Sequence, residues 1–93
     1  MRIVRGGLVV QKLWHDLAWE QFLSWQESGD VRTFRRVCRL IRDIDRNGYA
    51  TTGKPEPLKG NLSGWWSVRI DEANRIVFRI DNDELVIRSC KGH

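Results

Sequence analysis

The residues with the greatest potential for chemistry lie between Gly53 and Arg75. Glu56 stands between two prolines. Because proline restricts its own φ and the residue before it, the backbone at Glu56 should be extended and stiff. Arg69 falls in a predicted strand, and Arg75 opens the next one. A fixed carboxylate beside two arginines could handle a phosphate. From composition alone, the alternative is a surface loop with a solvated glutamate and two arginines in structural salt bridges.

Three antiparallel strands are predicted at the end of the chain. Apolar and polar residues alternate over 65–70, from 75 onward and over 84–90, with Asn82-Asp83 as a hairpin turn. The predicted core side of these strands carries Trp66, Val68, Ile70, Ile76, Phe78, Ile80, Leu85 and Ile87. The predicted outer side carries Arg75, Val86, Arg88 and Cys90.

The register of the first two of these strands follows from burial. Their apolar residues must share one face, which pairs Val68 with Ile76. This pairing places Arg69 directly opposite Arg75 and leaves a three-residue turn over 71–73. Since two opposed cations repel each other, we expect an anion to bind between them.

A first helix is predicted over about 17–28, with Asp16 as its N-cap and Gly29 just after its end. The apolar stripe that should face the core contains Trp19, Phe22 and Leu23, followed by Gln26. Trp25 falls off that stripe and is expected to cover another surface.

A second helix is predicted over 31–47, with Asp30 as its N-cap and Gly48 at its end. Its apolar arc carries Phe34, Val37, Cys38, Leu40, Ile41 and Ile44. Its opposite arc carries Arg32, Arg35, Arg36, Arg39, Arg42 and Arg46. This one-signed arc indicates contact with nucleic acid or an acidic protein. The alternative is a solvated face on which Asp43 pairs with Arg39 and Arg46.

The remaining segments complete one predicted domain over residues 10–93. Residues 1–9 are interpreted as an N-terminal extension whose order the sequence leaves undecided, and a first strand is predicted over 9–14. Residues 49–63 form a connection of a length typical of functional or disordered loops. The element order β-α-α-β-β-β predicts an α+β sandwich, with two helices on one face of a small sheet. The other face is predicted to be exposed and concave, and it would carry Arg69, Arg75, Arg79 and Arg88, rimmed by Glu56, Lys59 and His93.

Composition limits the classes of function. The net charge of +4 favours an acidic partner, and the sequence has no apolar run long enough to span a membrane. With two cysteines and two histidines, a zinc site is not expected, and neither is any other cofactor. Free thiols at Cys38 and Cys90 in a cytoplasmic protein are the simpler interpretation, with a disulfide as the alternative.

Several segments carry a specific resemblance. They are the helical run 19–26, the loop Gly-Lys-Pro-Glu-Pro-Leu-Lys over 53–59, Asn-Leu-Ser-Gly over 61–64, Trp66, Arg69-Ile70, Arg-Ile-Val-Phe over 75–78 and Cys-Lys-Gly-His over 90–93. In this order they resemble the YoeB (Txe) toxins of the RelE superfamily, from about Val10 to the end of the chain. The chain departs from the family pattern in three places: no tyrosine follows His93, and Gly60 and Asn74 stand where many members have histidine.

The resemblance implies a RelE-like fold and a catalytic set. It makes Glu56 the general base, Arg69 and Arg75 the phosphate-binding residues, and His93 the general acid. Further candidates for contact with RNA or the ribosome are Lys54, Lys59, Arg79, Arg88, Arg35, Arg39 and Arg42. These residues supply the base, acid and cations that RNA cleavage needs, without a metal.

The implied protein is a ribosome-dependent endoribonuclease that cleaves mRNA in the A site and inhibits translation, leaving a 2′,3′-cyclic phosphate and a 5′-hydroxyl. Its implied partners are mRNA on the bacterial ribosome and a cognate acidic antitoxin, and a homodimer is left open. The alternatives are a non-catalytic toxin on the same scaffold, such as a ParE-like gyrase inhibitor, and a basic RNA-binding module. Neither alternative requires a Glu-Arg-Arg-His set.

Overall fold

The computed structural model describes residues 11–92. The helices and strands are β1 (Gln11–Trp14), α1 (Asp16–Glu27), α2 (Val31–Asn47), β2 (Glu56–Pro57), β3 (Trp66–Arg69), β4 (Arg75–Asp81) and β5 (Glu84–Ser89). Two short 3-10 turns, Gly48–Ala50 and Gly60–Leu62, interrupt the connection between α2 and β3. The predicted α+β class is confirmed. The predicted N-terminal extension over 1–9, the start of the predicted first strand and His93 lie outside the described residues.

The strands form one mixed sheet in the order β1-β5-β4-β3-β2. β1 runs parallel to β5, and the other neighbours are antiparallel. Strand β2, in which Glu56 pairs with Ser67 and Pro57 pairs with Trp66, was not predicted from the sequence. Proline has no N–H to donate to a neighbouring strand, which suits Pro57 to the edge position that β2 occupies.

One side of the sheet packs against both helices. The buried strand residues on this side are Val68, Ile70, Ile76, Phe78, Leu85 and Ile87, and the buried residues of α2 are Val37, Leu40, Ile41 and Ile44. Trp66, Ile80 and Phe34 are partly buried at the margin of the same cluster. The predicted core face of the strands is therefore confirmed. No helix among residues 11–92 is long and apolar enough to cross a membrane.

The other side of the sheet is less exposed than predicted. Trp65, Val77 and Val86 are buried there in a second apolar cluster, covered by Leu58 and Leu62. The connection folds back onto the sheet because the Leu58 amide donates a hydrogen bond to the Trp65 carbonyl at 2.8 Å. The prediction of a bare outer face was wrong at its centre, where this loop covers the strands.

Helix α1 matches its predicted core face only in part, because Phe22 packs against the core cluster but Trp19 does not belong to it. Ala18 and Trp25 are its buried residues, whereas Trp19 is 44% exposed. The Trp25 indole Nε1–H donates to the Cys90 carbonyl at 2.7 Å, so a partner on the sheet selects this orientation. The predicted cap was also wrong: Asp16 lies inside the helix, and His15 occupies the N-cap position without a side-chain hydrogen bond.

Helix α2 has the predicted bounds, Val31–Asn47, and the predicted caps. The Asp30 carboxylate accepts hydrogen bonds from the Thr33 amide at 3.0 Å and the Thr33 hydroxyl at 2.7 Å. These bonds, the backbone one first, hold the pKa of Asp30 below its usual value. Gly48 ends the helix with a positive φ of 61°, which a residue with a side chain rarely adopts.

The six arginines of α2 form an exposed basic face, which we call the α2 arginine face (Arg32, Arg35, Arg36, Arg39, Arg42 and Arg46). None of them forms an ion pair with another residue of the described range 11–92. The ion pairs of the alternative interpretation, between Asp43 and Arg39 or Arg46, are not formed within residues 11–92, and the Asp43 carboxylate accepts a hydrogen bond from the Thr52 hydroxyl at 2.7 Å.

A β-bulge corrects the predicted position of Cys90. Phe78 pairs with Ile87, but Val77 pairs with Ser89, so Arg88 is an extra residue in β5. Such an insertion reverses the alternation of side chains beyond it. Cys90 consequently lies in the core cluster instead of on the outer face with Arg75, and burial raises the pKa of its thiol to about 12. Both cysteines are free, as expected.

Candidate active site

Glu56 and Arg75 are brought together at the edge of the sheet. The Arg75 Nη1 donates to the Glu56 Oε1 at 3.2 Å. The same nitrogen donates to the Ser67 hydroxyl at 3.2 Å. This contact follows from the pairing of the strands, since Ser67 lies between Glu56 on one side and Val77 on the other. The predicted association of the carboxylate with an arginine is present in the structure.

Ser67 was not among the predicted site residues. It is fully buried, and its hydroxyl is the second contact that fixes the Arg75 guanidinium. The sequence held a signal for it, because Ser67 alternates with Trp66 and Val68 and so faces the same side as Arg69. A small hydroxyl residue on that side, between two strands with opposing arginines, is a candidate partner for a guanidinium.

The two groups of the Glu56–Arg75 pair differ in exposure. The Arg75 side chain is 23% exposed, whereas that of Glu56 is 57% exposed. The arginine is thus held in place by contacts on two strands, while the carboxylate at the sheet edge remains open to an incoming group. This arrangement suits a fixed cation beside an accessible base.

Arg69 lies directly opposite Arg75 in the strand register, as predicted. The turn between them closes with the Ile70 amide donating to the Asn74 carbonyl at 2.9 Å. The Arg69 side chain is exposed and has no hydrogen bond or ion pair to another residue between 11 and 92. One of the two opposed arginines is therefore paired with an acid, and the other is available to a ligand.

The loop before Glu56 is anchored at Gly53. The Arg69 amide donates to the Gly53 carbonyl at 2.8 Å. A Cβ at Gly53 would lie 3.0 Å from a Leu40 methyl carbon and 3.1 Å from the Val68 Cβ, at a φ of +89°. Glycine is required here because both the space and the backbone conformation exclude a side chain. The anchor fixes the start of the segment that leads to Glu56.

A cleft of about 620 Å³ opens beside Arg75. Among the residues between 11 and 92 that line it, Arg75, Arg88 and Lys91 are cationic and none is acidic. Its apolar lining includes Leu58 and Leu62. The β5 bulge contributes to this cleft, because the extra residue, Arg88, is one of the lining cations.

Trp65 supports two of the predicted contact residues. The guanidinium carbons of Arg79 and Arg88 lie 4.6 Å and 5.5 Å from the centroid of its ring. Both distances are within the range of a cation–π interaction. Arg79 also approaches the Asp81 carboxylate at 3.8 Å, so it is more engaged in intramolecular contacts than predicted.

The other predicted contact residues divide into two groups. Lys54 and Lys59 are exposed on the segment that carries Glu56, within three residues of it in the chain. Arg35, Arg39 and Arg42 belong to the α2 arginine face, and α2 packs against the opposite side of the sheet. The structure does not bring this second group together with the Glu56–Arg75 pair.

His93 is outside the described residues, but the chain leads to it past the site. The Arg75 amide donates to the Gly92 carbonyl at 3.0 Å, so residue 92 lies next to the start of β4. Within the described range 11–92, no group of three or more His, Cys, Asp or Glu side chains could hold a metal ion.

The fold is that of a class of small toxins. The structure superposes on the YoeB/ParE toxin from Agrobacterium tumefaciens with a TM-score of 0.85 and 35% identity, covering 90% of this chain and 99% of that one. It matches YoeB in the YoeB–YefM complex from Staphylococcus aureus with a TM-score of 0.80 and 35% identity, covering 88% and 94% of the two chains. A Mycobacterium tuberculosis RelBE2 structure at 20% identity, with a TM-score of 0.66, shares the fold.

Sequence comparison identifies the family. Residues 14–93 match the model of the YoeB-like toxin of bacterial type II toxin–antitoxin systems. Toxin YoeB of Escherichia coli K12 is 43% identical over 81 residues, which cover 87% of this chain and 95% of that protein. Toxin RelK of M. tuberculosis H37Rv is 47% identical over 76 residues, covering 82% and 88%. The chain therefore belongs to the YoeB-like toxins, and the resemblance inferred from its sequence is confirmed.

Proposed function

We propose that this toxin is a ribosome-dependent endoribonuclease that cleaves mRNA in the A site and thereby inhibits translation. The observation that carries the proposal is the contact between Glu56 and Arg75 beside a cationic cleft. A base and a fixed cation within 3.2 Å of each other are two of the groups that RNA cleavage by acid–base chemistry requires.

Glu56 would take the proton of the ribose 2′-hydroxyl, whose oxygen then attacks the adjacent phosphorus. The bond from phosphorus to the 5′-oxygen breaks, and His93 would donate the proton that this oxygen needs. Arg69 and Arg75 would stabilise the charge that develops on the phosphoryl oxygens. The products are a 2′,3′-cyclic phosphate and a 5′-hydroxyl. Glu56 and His93 account for both proton transfers, so these steps require no metal.

The cleft beside Arg75 would hold a nucleotide next to the scissile phosphate. Its three cations suit a phosphate, and its apolar lining at Leu58 and Leu62 suits the face of a base. None of the described residues that line the cleft is acidic, which favours a polyanion over a cationic ligand. Lys54 and Lys59 on the adjoining loop would contact the neighbouring backbone of the mRNA.

The dependence on the ribosome is supported by the openness of the site and by the α2 arginine face. Glu56 is 57% exposed, so the site by itself excludes little water, and a bound ribosome would complete its enclosure. Arg35, Arg39 and Arg42 are exposed on the far side of the sheet, where they could contact ribosomal RNA phosphates while the cleft holds mRNA. Free RNA should accordingly be a poor substrate.

The test is to add the purified protein to translating ribosomes and to map the mRNA ends. We expect Glu56→Gln, Arg75→Ala and His93→Ala each to reduce cleavage by at least about a hundredfold, the usual scale for one acid–base or charge-stabilising group. Glu72→Gln is the matched control, because Glu72 is an exposed carboxylate on the nearby turn. Ribosome binding should persist in Glu56→Gln. Products with a 5′-phosphate, or full activity in Glu56→Gln, would refute the proposal and favour a non-catalytic toxin.

The partner of this chain would be an acidic antitoxin. The S. aureus structures include a YoeB–YefM complex and a YoeB dimer, which are properties of those proteins. For this chain, we propose that an acidic antitoxin segment crosses the outer face and blocks Arg69 and Arg75. The exposure of Arg69, and its lack of a partner among residues 11–92, support this location.

A further inference from the structure

The segment Cys90–Gly92 is held by several hydrogen bonds, although it contains a glycine and follows the last strand. At its start, the Cys90 amide donates to the Gln21 side-chain oxygen at 2.7 Å, and the Cys90 carbonyl accepts from the Trp25 indole at 2.7 Å. Lys91 extends this attachment to α1, since its ammonium donates to the Ser24 hydroxyl at 3.0 Å. Helix α1 therefore fixes the first part of this segment.

The end of the segment is fixed by the turn before β4. The Gly92 amide donates to the Asn74 Oδ1 at 2.8 Å, and the Gly92 carbonyl accepts from the Arg75 amide at 3.0 Å. Asn74 is itself oriented, because its Nδ2 donates to the two Asp71 carboxylate oxygens at 3.0 Å and 3.2 Å. Residue 92 is thus bound to the two consecutive residues 74 and 75, the second of which belongs to the site.

We propose that Asn74 is a positioning residue for catalysis: it fixes Gly92, the residue before the proposed acid His93, beside Arg75. This inference rests on the proposed function, in which His93 supplies a proton. Gly92 has a φ of +74°. An unrestrained glycine populates this conformation together with several others. A hydrogen bond that selects this conformation before the substrate binds removes an entropic cost from the reaction.

The side-chain amide of Asn74 can bind Gly92 and Asp71 at the same time. One planar amide offers an acceptor to the Gly92 amide and a donor to Asp71. Alanine offers neither group. The backbone of residue 74 would be unaffected by substitution, because its carbonyl accepts from the Ile70 and Asp71 amides at 2.9 Å and 3.2 Å. The turn should therefore persist in Asn74→Ala while the contact to Gly92 is lost.

The first experiment measures the contact without reference to activity. In amide hydrogen exchange followed by NMR, the Gly92 amide should exchange at least about tenfold faster in Asn74→Ala than in the wild type. Asn47→Ala is the matched control, because Asn47 is exposed at the end of α2 and its side chain makes no capping hydrogen bond. Unchanged exchange at Gly92 in Asn74→Ala would overturn the inference.

The second experiment connects the contact to catalysis. In assays over a range of ribosome concentrations, we expect Asn74→Ala to lower kcat by roughly ten- to a hundredfold, the scale of a misplaced catalytic group, and to leave KM unchanged. In a His93→Ala background, the same substitution should have no further effect, because there is no side chain left to position. An equal loss in both backgrounds would show a purely structural role and overturn the inference.

The outcomes also separate this inference from the proposed function. Full cleavage by Asn74→Ala, with His93→Ala inactive, would overturn the positioning role and leave the proposed mechanism in place. Full cleavage by His93→Ala would overturn the proposed acid, and with it the catalytic part of the inference. The exchange rate of the Gly92 amide would still report whether Asn74 holds the end of the chain.

Discussion

Replacing Trp25 with phenylalanine tests the link between α1 and the C-terminal segment. Trp25 is 7% exposed, and its Nε1–H donates to the carbonyl of the fully buried Cys90 at 2.7 Å. Phenylalanine keeps an aromatic ring in the core but has no donor. The Cys90 carbonyl would lose this hydrogen bond in the protein interior. An unsatisfied buried acceptor costs about 1–3 kcal/mol, and the void left by the smaller ring adds roughly 1 kcal/mol.

We therefore expect Trp25→Phe to lower the free energy of unfolding by roughly 2–4 kcal/mol. The assay is urea denaturation followed by far-ultraviolet circular dichroism, because the substitution itself changes the tryptophan fluorescence. Trp19→Phe is the matched control: Trp19 is on the same helix but is 44% exposed, and its indole makes no hydrogen bond within the described residues. The free energy of unfolding of Trp19→Phe should fall by less than about 1 kcal/mol.

The comparison of Trp25→Phe with Trp19→Phe decides whether the hydrogen bond from Trp25 to Cys90 contributes to stability. A loss in Trp25→Phe no larger than that in Trp19→Phe would refute the reasoning, because the hydrogen bond to Cys90 would then contribute nothing measurable. If the loss is as large as expected, the same variant should also reduce mRNA cleavage. The reason is that Trp25 fixes the start of the segment whose end lies beside Arg75.

Three further predictions concern the core, the buried thiol and the partner. Phe78→Ala should lower the free energy of unfolding by about 3–5 kcal/mol in urea denaturation, and a loss below about 1 kcal/mol would contradict the burial of that strand face. Burial raises the pKa of the Cys90 thiol from 9.0 to about 12, so its contribution to stability is complete below about pH 9 and is lost as the pH rises towards 12. The stability of Cys90→Ala should then fall less steeply over that range, and parallel curves would contradict this. Binding of an acidic antitoxin peptide should weaken with salt and in an Arg69→Ala, Arg75→Ala double variant, and unchanged affinity in isothermal titration calorimetry would place the partner elsewhere.

The parts of the fold that follow from local chemistry were predictable. Helix α2 has the expected bounds because its two ends are set by neighbouring residues. The Asp30 side chain accepts a hydrogen bond at the start of the helix, and Gly48 ends the helix with a positive φ. The opposition of Arg69 and Arg75 was also predictable, although it is a tertiary feature. Burial of the alternating apolar residues on one face excludes slips of one residue, and the pairing of Val68 with Ile76 sets the positions of the polar residues as well.

The features that were not predicted depend on tertiary contacts, because the local sequence patterns are compatible with more than one structure. Trp19 and Trp25 are equally apolar, and the Cys90 carbonyl, distant in sequence, selects the one that is buried. Strand β2 has two residues, too few for any alternation to be read. The bulge at Arg88 has no signature in the residue types of β5, and it can be recognised only when the pairing of β4 with β5 is known.

The same bulge was decisive for the candidate site. Without it, Cys90 would point to the outer face and the following residues would leave the sheet in another direction. With it, Cys90 enters the core, where α1 holds it, and Gly92 reaches the turn at Asn74. The position of the last residues of the chain therefore depends on one inserted residue in β5, which no local signal in the sequence predicts.

The Glu56–Arg75 contact has a consequence for the proposed reaction. In the structure, Arg75 donates a hydrogen bond to the carboxylate of Glu56, while Ser67 and the strand pairing hold the guanidinium in place. A phosphate that binds between Arg69 and Arg75 would compete with Glu56 for the same guanidinium. Since Glu56 is the exposed member at the sheet edge, it is the group free to move. Substrate binding would thus release the carboxylate from Arg75 at the moment when a base is needed at the 2′-hydroxyl.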